Sequence, residues 1–306
     1  MKKLEFKNIS VLLLFLSTLL ISCEDVVDVE LNDENIDLFS VEAYINTKQI
    51  DNVFVKIEKS LPVTYAEQNP VINNALVEIS DTEPTPNKII LVEDSNTGIY
   101  KLPLNSTFRA VPNRTYKLTI TTPEGIVISG EDYLQKAEPL DSTKVNLSAR
   151  GNFEFLAVFI NSQETPGLGN YYKWDIYIND VLLNKSEQMA FVSDELVDGN
   201  YVADFEIFTD FIEEDEEKVL LFGDTVYVEQ LSISKSAYEF YIGMANQAFT
   251  GSPFSVPPAN VSGNLTASNG KKVLGLFTAS DNSVGNKIII DSTNYTPLIP
   301  GTFYQE

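Results

Sequence analysis

Histidine is absent from the 306 residues, cysteine occurs once, as Cys23, and acidic residues outnumber basic ones by 44 to 21. Each shortage removes a class of chemistry. Without histidine there is no imidazole base near neutral pH and none of the commonest metal ligand, which excludes a Ser-His-Asp triad, a His-bearing zinc site and a haem histidine. One cysteine cannot close a disulfide within the chain. A net charge of −23 repels phosphate backbones and anionic lipid surfaces, so nucleic acid is not an expected partner. Carboxylate-only chemistry, as in glycoside hydrolysis, survives these exclusions. With so many Asp and Glu, spacing nominates no catalytic pair. No catalytic, cofactor-binding or metal-binding residue is therefore expected, and the chain is read as a non-enzyme.

The start is basic (Lys2, Lys3, Lys7) and is followed by an apolar run, Val11-Leu12-Leu13-Leu14-Phe15-Leu16, that continues to Ile21. Its core has signal-peptide proportions and is short for a bilayer span. It ends in Leu20-Ile21-Ser22-Cys23, the pattern of a bacterial lipobox: branched apolar residues, a small residue, then cysteine. The alternative is an ordinary signal peptide with an incidental cysteine, but no small-x-small cleavage site lies nearby. Lipidation of Cys23 is expected. It would spend the sulfur as a thioether and leave no thiolate for catalysis or metal binding. Each buried CH₂ of an acyl chain adds roughly 0.8 kcal/mol, so two or more chains anchor stably. Removing residues 1–22 leaves 18 basic and 43 acidic residues, a balance of −25.

Hydrophobic residues make up 43% of the chain, enough for a core. Residues 23–35 carry Glu24, Asp25 and Asp28, show no period and read as an acidic tether. Period-two alternation then begins, with Val53, Val55 and Ile57 on one face and later Tyr116, Leu118 and Ile120. Turn chemistry at Asp94-Ser95-Asn96-Thr97-Gly98 and Pro123-Glu124-Gly125 punctuates it. Such spacing over residues 36–138 predicts an immunoglobulin- or transthyretin-like β-sandwich. A boundary is expected near Ala137-Glu138-Pro139. Residues 139–306 then read as a second antiparallel β domain carrying one amphipathic helix near 236–249. In it, Phe153 to Ile160 reads as a strand buried on both faces, and Tyr172, Trp174, Ile176 and Ile178 alternate. Ser236-Ala237-Tyr238-Glu239 has the form of a capping box, and Tyr238, Tyr241, Ile242, Ala245 and Phe249 follow helical spacing. The acidic run Glu213-Glu214-Asp215-Glu216-Glu217 reads as a solvated loop tip. A calcium site is the lesser reading, because the fixed Asp/Asn and Gly spacing of a calcium loop is missing.

Taken together, the lipobox, Asn74-Ala75-Leu76-Val77-Glu78-Ile79 with Gly98-Ile99-Tyr100, Asn170-Tyr171-Tyr172-Lys173-Trp174, and the stretch from Ile233 to Phe277 with Pro257-Pro258-Ala259-Asn260 and Gly263-Asn264 resemble one family. This is the Bacteroidetes lipoproteins grouped as domain-of-unknown-function family forty-two forty-nine. The chain departs from it at Leu276, where an aromatic residue is commoner. The resemblance implies a noncatalytic outer-membrane lipoprotein, an accessory or substrate-capture subunit of a TonB-dependent, SusC-like receptor. The helical repeats of SusD lipoproteins are not present. In Bacteroidetes, acidic residues just after the lipid cysteine also resemble a surface-export signal. Surface exposure is thus expected, with the inner leaflet of the outer membrane as the alternative. Asp-Ser/Thr motifs of that group place candidate O-glycosylation at Ser142, Thr225 and Ser292. The loop holding Phe254, Pro257, Asn260 and Asn264 is a candidate contact surface. A structural or adhesive surface protein is the alternative function, and a carboxylate-only glycan hydrolase a more distant one.

Overall fold

Alternating buried and half-exposed side chains build the first half of the body. The computed structural model of the chain describes residues 38–48, 52–61, 68–185, 188–210, 219–248 and 261–291. The first strands are β1 (Phe39–Asn46), β2 (Val53–Lys59), β3 (Leu76–Asp81), β4 (Lys88–Ile90), β5 (Val92–Glu93), β6 (Ile99–Lys101), β7 (Arg114–Thr121) and β8 (Val127–Leu134). Val41 and Ile45 of β1, Val55 and Ile57 of β2, and Tyr116, Leu118 and Ile120 of β7 are fully buried, the period-two pattern of sheets with one face on a core. The Asp94–Gly98 turn joins β5 to β6, with Ser95, Asn96 and Gly98 all at positive φ. A Cβ at Gly98 would meet Val71 Cβ at 2.8 Å and Ile57 O at 2.9 Å, so only glycine fits there. The Tyr116 hydroxyl accepts a 2.7 Å bond from the Val111 amide. This tie to the backbone just upstream is the tyrosine-corner device of sandwich folds.

The second half contributes β9 (Leu140–Arg150), β10 (Phe153–Gln163), β11 (Tyr171–Ile178), β12 (Val181–Leu182), β13 (Ala190–Ser193), β14 (Tyr201–Thr209) and β15 (Thr225–Ile233). Helix α1 (Lys235–Ala248) follows, then β16 (Leu265–Ala267), β17 (Val273–Ser280), β18 (Asn282–Val284) and β19 (Ile288–Ile289). A three-stranded sheet runs β14-β10-β9. A second runs β12-β11-β15-β18, with β13 also on β11 and β19 on β15. All these pairings are antiparallel. The two sheets share a core that includes Leu156, Val158, Ile160, Trp174, Ile176 and Val228. Strand β10 is not buried on both faces as its composition suggests. Leu156, Val158 and Ile160 face this core; on the other face Ala157 is buried, whereas Phe153 is 71% exposed and Phe155 and Phe159 are half-buried, so that side is only partly covered.

The main departure from the expected organisation is β16 and β17. Both leave the second module and complete the first. Strand β17 lies parallel to β1, in register from Phe39 opposite Val273 to Asn46 opposite Ser280, and β16 pairs with β8. The first module is thus two five-stranded sheets, β17-β1-β2-β6-β5 and β16-β8-β7-β3-β4. Leu265, Val273 and Phe277 lie in its core. Residues 36–306 form one compact unit, and a cut at residue 138 does not divide it into two consecutive domains. A parallel partner needs a long crossover, here more than two hundred residues, so no local pattern announces it. The close approach is visible only in glycines. Gly275 has a φ of 97°, and a Cβ there would clash with the Val41 carbonyl, as one at Gly263 would with the Gly275 carbonyl.

Helix α1 also begins differently from the expected box. Ser234 is the cap: its Oγ accepts from the Ala237 amide at 3.2 Å, and its carbonyl accepts from Tyr238 N at 3.0 Å. Glu239 instead pairs with Lys235 at 3.6 Å, since β15 runs straight into the helix and starts it two residues earlier. Ala237 is buried beside Leu231, Ile233 and Leu276, with Tyr238 and Tyr241 partly covered. Ile242 is exposed, and Phe249 lies outside the described residues.

Candidate functional site

Strand alternation puts Tyr172 and Trp174 on the inner face of β11, stacked at 6.4 Å between ring centroids. Phe205 of β14 meets Trp174 at 5.7 Å. Val192 of β13, Ile160 of β10 and Val202 of β14 complete the walls of a cleft of about 180 Å³. Its lining comes from both sheets. A 3-10 turn at Asp194–Leu196 forms the rim with Glu195, Leu196 and Val197. Leu196 is 96% exposed.

The polar groups beneath this surface are already bonded to one another. Trp174 Nε1 donates to Gln230 Oε1 at 2.9 Å. Gln230 Nε2 donates to the Glu138 carbonyl (3.1 Å) and to Ser162 Oγ (3.3 Å), and Ser162 Oγ donates to the Pro139 carbonyl at 3.0 Å. The wall is therefore apolar in effect, although Gln230 and Ser162 line it.

Three carboxylates brace the loops around the cleft. Asp194 accepts from the amides of Gly169 and Asn170, each at 2.9 Å. Asp198 accepts from Gly167 N at 2.6 Å. Glu164 accepts from Asn170 Nδ2 at 2.8 Å, from the Tyr172 hydroxyl at 3.2 Å and from the Gly199 amide. One oxygen from each of the three lies within 4.8 Å of the others, so the set has the hard oxygen donors a divalent cation takes. Their amide and hydroxyl donors give them a structural task, which is to lock the 165–170 loop against the 194–199 loop. Burial, then Glu164, Glu138 and Asp194, push the Tyr172 phenol upward, so it stays a protonated donor at physiological pH.

The family model for a domain of unknown function, DUF4249, matches residues 24–285. The chain belongs to this family. The match starts directly after Cys23 and runs through β18, so it spans the first core, the returning strands, the cleft and the second core except Ile288 and Ile290. No curated protein matches the chain.

The residues singled out in the sequence do not converge on the cleft. Cys23, Phe254, Pro257, Asn260, Ser292 and the 213–217 acidic run lie outside the described residues. Asn264 is held by backbone: its Nδ2 donates to the carbonyls of Glu131 (3.0 Å) and Phe277 (2.8 Å), and its Oδ1 accepts from Phe277 N at 3.0 Å. It fastens β8 to β17 rather than offering its amide outward. Ser142 is half-buried within β9 and its Oγ accepts from Asn161 Nδ2 at 2.9 Å, a bond a glycan there would disturb. Thr225 opens β15, its amide donating to Asn179 Oδ1 at 3.0 Å. The cleft residues come from five strands with no shared spacing. Their one sequence signal is Trp174, the chain's single tryptophan, on the alternating inner face of β11.

Proposed function

We propose that this DUF4249 chain is a noncatalytic, lipid-anchored outer-membrane protein that captures a ligand for a TonB-dependent, SusC-like receptor and faces the cell surface. The observation that carries the capture role is the aromatic cleft, preformed between two sheets and braced by Glu164, Asp194 and Asp198. Concave apolar sites of this kind on rigid sheets are the usual seats of small ligands. The lipobox supports the anchor at Cys23. Among the described residues no helix is long and apolar enough to cross a membrane. An anchored subunit stays in the receptor's plane and gains effective concentration there. The noncatalytic reading is supported by Glu164, the buried carboxylate lining the cleft, whose two oxygens already accept three hydrogen bonds.

The test is purification of the native protein from outer membranes with mass spectrometry of the product. A diacylglyceryl group on Cys23 and a co-purifying TonB-dependent receptor are expected. An unmodified thiol, or isolation without any receptor under conditions that preserve such complexes, overturns the reading.

A further inference from the structure

We infer that the cleft binds an aromatic or branched apolar group carrying a positive charge beside it, as in an arylalkylamine or in a peptide whose apolar residue neighbours a Lys or Arg. This rests on the capture role proposed above and names the ligand's chemistry.

Size comes first. A dry cavity of roughly 150 Å³ accepts benzene, so the 180 Å³ here holds one ring or one branched aliphatic side chain. Lining comes second. The inward hydrogen-bonding groups of Trp174, Gln230 and Ser162 are paired with one another or with backbone. A sugar ring would exchange water for a wall with few free partners, and buried hydroxyls without partners are costly. A hydrocarbon group loses nothing there. Charge comes third. No Lys or Arg lines the cleft, while Glu164 and the exposed Glu195 do, and the exposed Asp198 lies beside Glu164. Burial is the main cause of the upward push on Tyr172, and the further push by Glu164, Glu138 and Asp194 registers the same negative field inside. Low-dielectric walls concentrate such a field on an incoming ion. Order comes last. The rim loops are tied by backbone amides to buried carboxylates, so little ordering is charged against binding. The bare Leu196 side chain offers apolar surface for the ligand to cover.

Because Trp174 is the chain's single tryptophan and lies in the cleft wall, its fluorescence reports occupancy. The full chain is titrated with phenethylamine, 2-phenylethanol and phenylacetate, which share a ring and differ in charge, and with Arg-Phe-Arg, Arg-Gly-Arg and maltotriose. Saturable shifts are expected with phenethylamine and Arg-Phe-Arg. Phenylacetate should bind about tenfold more weakly at low salt, a gap that narrows at high salt. Arg-Gly-Arg and maltotriose should leave the emission unchanged. Tighter binding of Arg-Phe-Arg than of phenethylamine identifies a peptide ligand, and equal binding a free amine. Glu195→Gln should close part of the charge gap. Val192→Phe should fill the cleft and abolish the shifts. If that variant melts early, Leu196→Ser at the exposed rim should still weaken both active probes several-fold, whereas Phe153→Ser, at the exposed start of β10, should not. Phenylacetate binding as tightly as phenethylamine, saturation by maltotriose, or no saturation by either cationic probe up to about 10 mM overturns the inference. A receptor that co-purifies while the cationic probes fail removes this ligand class and leaves the accessory role standing. Binding of the probes without a receptor does the reverse.

Discussion

The two cores use the same residue types to opposite ends. In the first, Tyr100 and Tyr116 are buried and their hydroxyls are spent on backbone. Tyr100 donates to the Ile72 carbonyl and accepts from the Ala75 amide, both at 2.9 Å, and Tyr116 accepts from Val111. In the second, Tyr172, Trp174 and Phe205 lie along a cleft. The difference lies in the layers. Five strands cover five in the first module, and the returning β16 and β17 close it. In the second, three strands face a wider sheet, and the packing between them leaves a cleft whose wall includes the largely buried Tyr172 and Trp174.

Core truncations should break this comparison most visibly. Phe277 of β17 is fully buried, and Phe277→Ala should cost about 3–5 kcal/mol of unfolding free energy, read from urea denaturation. Phe205→Ala, at a half-buried wall that already borders a void, should cost about 1–2 kcal/mol while changing Trp174 emission. Equal losses would mean that the second core is as closed as the first.

The next largest effect depends on pH at the seam between the modules. Asp132 of β8 is buried, and desolvation raises its carboxyl to about 6, against hydrogen bonds from Ser234, Ser236 and the amides of Ala279 and Tyr133. The Ala279 amide donates to it at 2.7 Å, so it joins β8 to β17 beneath the start of α1. Between about pH 4 and 6 the folded chain holds a proton that the unfolded chain has released. Stability from this residue is therefore greatest below about pH 4 and falls as pH rises, by about 3 kcal/mol in all. Asp132→Asn cannot ionise and should be spared that fall. The difference in unfolding free energy between wild type and variant should swing by this amount from pH 4 to 7. A constant difference would remove Asp132 as the titrating group.

Much of the first module was legible in the sequence because one face of each strand is buried and alternation records it directly, as at Val53–Ile57 and Tyr116–Ile120. The turns at Ser95-Asn96 and Gly125 were legible for the same local reason. Strand β17 was not, since Val273-Leu274-Gly275-Leu276-Phe277 shows that a strand exists but not that its partner is β1. The cleft was less legible still. Val192, Val202 and Phe205 become neighbours of Trp174 only through sheet pairing, and Glu164, Asp194 and Asp198 meet only because two loops fold onto each other. The carboxylates that stand out as a run, 213–217, lie outside the described residues, and the three that the structure does bring together form no run.

A smaller effect sharpens the comparison at the helix, which packs against both modules through Leu276 of β17 and Ile233 of β15. With Ser234 as the cap, Ser234→Ala should lower stability by about 1 kcal/mol. Glu239→Ala should remove only the exposed pair with Lys235, worth about 0.3 kcal/mol. Under the Ser236–Glu239 capping box read from the sequence, the order would invert, since Glu239 would then satisfy a backbone amide and Ser234 would not. Thermal melts of the two variants at one pH above 7, where Asp132 is ionised in both, separate the alternatives. A larger loss for Glu239→Ala would move the helix start back to Ser236 and free Ser234 to serve Asp132 alone.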